Sequence, residues 1–355
     1  MRGDDPYSAM DKLLHRLAFW PPICSLLESV ESSRFARELA EAEPDPPIWI
    51  AGLPRAGSTA LLNLLEGSPE LASPRYCDMP FVTVPLLWSE LSGSQRHSGP
   101  LRERAHGDGV MIGPDSPEAF EEVLWLRHWA GHYRADRISL WRNDATVEGD
   151  FFETHDRWLR SLVAARRRQR AKAARPLLKN NSAIARLSFL AEKWPGARII
   201  VPFREPGAQA SSLLRQHHRA SQHQRRSRFA RRYADDLGHF EFGGGIRPIA
   251  FPGFDPAEAG DPDNLPYWLA YWAAAYRHIL DALPDRAMLF DYDRACAQPE
   301  GVVPELASAL GIDLPTDHAA AFEVRPRERV AVPDECAEIH RACVVRAATS
   351  GPALR

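Results

Sequence analysis

Between Gly52 and Thr59 the chain reads GLPRAGST, directly after the apolar run Ile48-Trp49-Ile50-Ala51. Gly52 and Gly57 have the G-x-x-x-x-G spacing of a loop that cradles phosphate, because glycine lets the backbone turn back until successive amides face one anion. Ser58 and Thr59 add hydroxyl donors where a helix would begin, and a helix N-terminus adds partial positive charge. Nucleoside triphosphatases continue this spacing with Lys-Ser/Thr, the lysine reaching the β and γ phosphates. Here that lysine is missing, and the cation of the loop, Arg55, lies inside it. Such a loop suits an anion whose terminal group carries less charge than a γ-phosphate; the plain alternative is a tight strand-to-helix turn.

A second constellation lies about 150 residues downstream, in ARIIVPFREPGAQASS. Arg204 ends an apolar strand-like run, where its planar fork could grip phosphate oxygens, and Ser212, eight residues on, adds a donor from the next helix. A salt bridge from Arg204 to a carboxylate is the competing assignment. Lys179, closing Pro176-Leu177-Leu178-Lys179, either joins the loop in holding charge or caps a carbonyl at the sheet edge. Asp78, in PRYCDMP, is a candidate base or a turn aspartate ahead of Pro80. His106, between Ala105 and Gly107 with Asp108 near enough to orient an imidazole, is the other candidate base or else an exposed loop residue.

Taken together, GLPRAGSTALLNLL resembles the 5′-phosphosulfate loop of the sulfotransferases that use 3′-phosphoadenosine 5′-phosphosulfate (PAPS), whose pattern runs Pro-Lys/Arg-Ser-Gly-Thr-Thr. The stretch around Arg204 is similar to that family's 3′-phosphate segment, with Glu205-Pro206 standing for Asp-Pro. LLKNNSAIARLSFL and FDYDRACAQPEGVV are fainter echoes of its Leu-Lys-x-Pro-x-His and Tyr-Glu-Asp-Leu segments, so the resemblance spans roughly residues 46–312. It implies a donor site made of Arg55, Ala56, Gly57, Ser58, Thr59, Arg204 and Ser212, with PAPS as sulfuryl donor and no metal required. It also implies that Arg55 contacts the oxygen bridging phosphate and sulfate, and Lys179 matches the lysine of the family's Leu-Lys segment. Asp78 falls where several relatives carry a catalytic glutamate. Asn181 replaces the histidine that some relatives place two residues after the lysine, so the base must come from elsewhere. The rival assignments are a nucleotide kinase or hydrolase with a degenerate loop, and an anion- or glycan-binding protein of the same fold without turnover.

These residues need a scaffold that brings distant strand ends together. Short apolar runs at 48–51, 176–179, 197–203 and 287–290 alternate with helical patterns at Ser58–Leu65, Ile184–Trp194, from Pro206 onward and at about Leu265–Leu283. That alternation predicts one α/β domain over 1–355: a central parallel sheet flanked by helices, nucleotide-binding-like, preceded by a helical extension over 1–43. Two long segments, 68–175 and 213–286, rich in Trp, Arg, His and Pro, are expected to be helical insertions forming the acceptor site. Ser116-Pro117-Glu118 is expected to open a helix whose Glu121 and Glu122 face solvent. The basic run 215–232 reads as a solvated helix face, Trp268, Tyr271 and Trp272 as core, and Arg325, Arg327 and Arg329 as candidates to fold over the 3′-phosphate.

Composition sets the outer bounds. The chain has 355 residues, 45% hydrophobic and 26% charged, the make-up of a globular protein with a sizeable core. Its net charge of −3 gives no general attraction to nucleic acid or to an anionic membrane. Forty arginines stand against four lysines, a bias that points to codon composition rather than to function. Five irregularly spaced cysteines suggest neither a disulfide framework nor a zinc site. No run approaches the ~18 apolar residues of a membrane span, and the N-terminus lacks the uninterrupted apolar core of a signal peptide, so a cytoplasmic protein is expected. The partner implied is a small-molecule, lipid or glycan acceptor.

Overall fold

The structure is a computed structural model that describes residues 7–93, 102–103, 111–141, 149–314, 322 and 330–350. His106 and Arg325, Arg327 and Arg329 lie outside the described residues.

The chain enters through α1 (Ala9–Ala18), α2 (Pro21–Arg34) and α3 (Ala36–Glu41). Ser8 starts α1 through a reciprocal cap with Asp11, and a first-turn proline starts α2. The proline-rich linker then delivers β1 (Ile48–Ile50), followed by α4 (Ser58–Leu65), β2 (Leu71–Ala72) and α5 (Pro85–Ser92). A short antiparallel ribbon, β3 (Arg102–Glu103) with β4 (Met111–Ile112), precedes α6 (Glu122–His128) and α7 (Phe151–Arg167). Next come β5 (Arg175–Lys179), α8 (Leu187–Lys193), β6 (Arg198–Phe203), α9 (Pro206–Arg226) and α10 (Arg228–Leu237). The described chain ends with α11 (Leu265–Ala282), β7 (Ala287–Asp291), α12 (Tyr292–Ala297), α13 (Pro299–Leu310) and α14 (Asp334–Ser350).

Five strands form a parallel sheet in the order β2-β5-β1-β6-β7. Both faces are apolar, and the two-residue period divides them. Trp49, Leu178, Ile199 and Leu289 face one core, covered by α7, α8, α9, α11 and α14. Ile48, Ile50, Leu177 and Ile200 face a thinner core under α4 and α13. Burying a large apolar side chain is worth about 1.5–3 kcal/mol, so the continuous apolar runs that looked like parallel strands are stable only when covered on both sides.

All five carboxyl ends share one edge. β1 lies between β5 and β6, where the chain changes direction across the sheet, the place where open α/β sheets gather ligands. The loop follows β1, Lys179 is the last residue of β5 and Arg204 comes immediately after β6.

Three expectations change. Segment 68–175 is not purely an insertion, because it supplies edge strand β2 and the core helix α7, whose Leu162, Val163 and Ala165 pack under the sheet. Ser116-Pro117-Glu118 opens no helix: Pro117 bridges Arg75, and the Glu118 amide donates to the Pro74 carbonyl at 2.9 Å, so the backbone is committed to that pairing and α6 starts at Glu122. The helical stretch after β5 begins as a 3₁₀ turn over Asn181–Arg186, where the Asn180 side chain accepts from the Ser182 amide at 3.0 Å.

Candidate functional site: a loop, a helix start and a cavity

The loop has the geometry that its sequence demands. Gly57, the residue that caps α4, has φ +91°, and a Cβ there would come within 2.0 Å of the Tyr292 ring. Only glycine fits, on backbone and spatial grounds alike. Arg55 also takes a positive φ, +67°, unusual for a residue with a side chain and a form of strain that concentrates at functional sites. Gln209, wholly buried on α9, donates to the Pro54 carbonyl at 3.1 Å while its own oxygen takes Trp272 Nε1 at 3.0 Å and the Tyr276 hydroxyl at 3.2 Å. The aromatic residues of α11 are core, as expected, and through Gln209 they hold the loop.

The start of α9 brings the second constellation to the first. Glu205 caps the helix, its carboxylate taking the Gly207 and Ala208 amides at 2.9 and 2.6 Å. One face on, Ser212 Oγ accepts from Arg55 Nε at 3.0 Å. Arg204 stands 3.7 Å from Asp293 Oδ1, with its guanidinium 5.7 Å from the centre of the Tyr292 ring, the ring that abuts Gly57. Arg55 with Ser212 and Arg204 with Tyr292 thus form two contacts along the carboxyl edge of the sheet, the second reaching the loop at Gly57. Lys179 joins it from β5, its Nζ 3.4 Å from Thr59 Oγ1 and 3.5 Å from Glu118 Oε1.

A cavity of about 230 Å³ opens from the loop. Arg55, Ser58, Thr59 and Lys179 line one end, and Glu118 and Tyr76 stand beside them. At the far end α9 presents Gln216, Arg219, Ala220 and His223, with Tyr233 across from α10. Burial, then Tyr7 and Glu118, push the Tyr233 phenol up, so it stays protonated and can act as a donor. The basic run is therefore not wholly a solvated face. The spacing 216, 219, 220, 223 is one helical stripe, and that period was the available signal. Asn181 lines the floor, its amide nitrogen donating to Glu241 Oε1 at 2.7 Å.

Asp78 does not reach this cavity. It is 3% exposed, its Oδ2 takes the Arg75 amide at 2.7 Å and binds Arg166, so its carboxylate is committed to the interior and is not among the residues that line the cavity. Arg75 in turn grips Glu66 at 2.6 Å. Burial alone would lower the Arg166 pKa, but the Asp78 and Glu66 carboxylates outweigh it and hold it up. Beside it, burial raises the Cys77 thiol to about 12, leaving it protonated and inert.

Glu121 and Glu122 are likewise not solvated; the face of α6 that carries them turns into the core. Glu122 takes Arg186 at 2.6 Å and Asn180 Nδ2 at 2.6 Å, together with the Tyr133 hydroxyl. Glu121 takes Trp49 Nε1 at 3.1 Å and faces His155 Nε2 at 3.0 Å. Burial pushes the Glu121 pKa up, yet the His155 hydrogen bond and charge, with Arg186 and Asn180, outweigh it and hold the carboxylate below its usual range. Arg186 also lies 3.9 Å from the centre of the Trp125 ring. All five cysteines are free and buried, and among the described residues no helix is long and apolar enough to cross a membrane.

A family profile described as the sulfotransferase family matches residues 46–243. No curated protein sequence matches the chain. Among solved structures, the chain is similar to sulfotransferase STF9 from Mycobacterium avium, at 16% identity over 94% of this chain and 83% of that one, with a TM-score of 0.48. Sulfotransferase STF1 from Mycobacterium tuberculosis is matched at 16% identity over 99% and 87% of the two chains, with a TM-score of 0.46. The sulfotransferase domain of the Synechococcus olefin synthase is matched at 15% identity over 85% and 95%, with a TM-score of 0.41.

Proposed function

The chain belongs to the sulfotransferase family, and we propose that it transfers the sulfuryl group of PAPS to a hydroxyl or amine of a small-molecule, lipid or glycan acceptor. The observation that carries this reading is the hydrogen bond from Arg55 to Ser212, which joins the 5′ loop to the 3′-phosphate segment at one sheet edge. The loop amides with Ser58 and Thr59 would hold the 5′ end of the donor, and Arg204 with Ser212 its 3′-phosphate.

The donor supplies an activated sulfur on a stable leaving group. The protein's part is to orient that bond toward the cavity and to stabilise charge as it gathers on the leaving oxygen. Arg55 lies inside the loop, and Lys179 bridges from Thr59 to the cavity, so both cations flank the place where that charge appears. The missing loop lysine fits this reading, because a sulfate terminus bears one charge where a γ-phosphate bears two.

The test is donor binding without metal. Calorimetry with adenosine 3′,5′-bisphosphate or PAPS in EDTA should show binding undiminished, with Mg-ATP a poor competitor. Tight magnesium-dependent ATP binding would overturn the reading in favour of a kinase. Bound PAPS that never yields adenosine 3′,5′-bisphosphate with any acceptor would mark a binding protein without turnover.

A further inference from the structure

We propose that Glu118 is the catalytic base of the transfer, with Lys179 and Tyr76 as its positioning residues; this rests on the sulfotransferase reading above. Among the described residues two carboxylates line the cavity, Glu118 and Glu241. Glu241 sits with Asn181 and His239, its Oε1 taking Asn181 Nδ2 at 2.7 Å and its Oε2 lying 3.8 Å from His239 Nδ1. Glu118 is the one joined to the loop, since Lys179 Nζ spans from Thr59 Oγ1 at 3.4 Å to Glu118 Oε1 at 3.5 Å. An acceptor in this cavity would share it with Glu118, Lys179, Ser58 and Thr59, so a sulfur held at Ser58 and Thr59 and the Glu118 carboxylate would face the same space.

The orientation of Glu118 is set from three sides. Its Oε1 takes the Ala119 amide at 2.9 Å as well as Lys179, and its Oε2 takes the Tyr76 hydroxyl at 2.5 Å. Tyr76 and Asp78 belong to one 3₁₀ turn, whose carboxylate is fixed by Arg166 on the buried side while its phenol reaches the cavity. The turn that holds Asp78 in the interior is therefore the turn that aims Glu118.

In the step itself, the acceptor oxygen attacks sulfur and a new S–O bond forms. The bond from sulfur to the bridging oxygen breaks, and its electron pair passes to the 5′-phosphate, where Arg55 and the loop amides face the charge. The acceptor proton passes to a Glu118 oxygen, and solvent takes it after product leaves. Lys179, in contact with both Thr59 and Glu118, keeps the two carboxylate oxygens from rotating away.

The test compares wild type with Glu118→Gln, Glu118→Asp, Tyr76→Phe and Glu241→Gln. Each is given PAPS and a pool of phenols, sugars and amino alcohols, with sulfated product identified by mass and adenosine 3′,5′-bisphosphate binding followed by calorimetry. Glu118→Gln should lower kcat by roughly 10²- to 10⁴-fold and abolish the acid limb of the kcat–pH profile, with bisphosphate affinity unchanged. Glu118→Asp should keep part of the rate, Tyr76→Phe should shift the acid limb, and Glu241→Gln should keep it. Normal turnover and an intact acid limb in Glu118→Gln would overturn the assignment, as would loss of bisphosphate binding in both Glu118 variants, which would make Glu118 structural. A wild-type protein that releases no bisphosphate from PAPS would overturn the transferase reading itself, so the two failures are distinguishable.

Discussion

The cavity at the loop and the charge clusters behind it are built from the same side chains, arginine or lysine set against carboxylates, yet they are paired differently. In the interior, Arg186 meets Glu122 at 2.6 Å, Arg75 meets Glu66 at 2.6 Å, and Arg166 binds Asp78. At the sheet edge, Arg55 donates to the neutral Ser212, Lys179 stands 3.5 Å from Glu118 and Arg204 stands 3.7 Å from Asp293. The interior pairs are at full hydrogen-bond contact and sealed from water, which makes each charge dependent on its partner. These three edge contacts are longer or neutral. Chemical type does not separate the two regions; the length of these contacts does.

The sharpest way to break this contrast is to strand one interior charge. Arg186→Met leaves the Glu122 carboxylate buried without its guanidinium, and should lower unfolding free energy by about 3–5 kcal/mol in a urea titration. A loss of less than 1 kcal/mol would show that the interior pair is as dispensable as a surface one.

At the edge the expected loss is in binding instead. Arg204→Ala should weaken adenosine 3′,5′-bisphosphate by roughly 1.5–3 kcal/mol, about 10- to 150-fold, because a charge-assisted bond is lost. Adenosine 5′-phosphosulfate, which lacks the 3′-phosphate, should bind as before, and equal losses for both ligands by calorimetry would contradict the placement.

The smallest effect sharpens the comparison at a residue that changed sides. Asp78→Asn keeps the shape and the contact to the Arg75 amide but removes the charge facing Arg166, so stability should fall by about 1–3 kcal/mol. Turnover per folded molecule should stay near normal. A collapse in kcat with stability intact would return Asp78 to the chemistry.

Why the sequence showed some of this and not the rest follows from the range of each signal. The loop, its glycines and the helix entered through Pro206 are local patterns, and local patterns survive translation into structure. So do the strands, whose apolar runs need cover on both faces. Glu118 was read as the first-turn acid of a helix that does not form, because its backbone pairs with Pro74, a partner that no helical periodicity reveals. Asp78, Glu121 and Glu122 carry no local mark of burial; their cations come from Arg166, Arg186 and His155, brought by other elements. Gln209 and the stripe on α9 were visible as helical positions, but what they face is set by the loop and by α10.

The Arg55–Ser212 contact also bears on how the site comes into being. Its two residues lie 157 positions apart, so the contact cannot form in either half of the chain alone. It must wait for β1 and β6 to pair, a non-local event of the kind that slows folding. A ligand spanning the two halves binds only the completed structure and draws the folding equilibrium toward it, by about 2.7 kcal/mol at a hundred times its Kd. On the proposed reading, donor supply would then add to the chain's stability as well as to its rate of work.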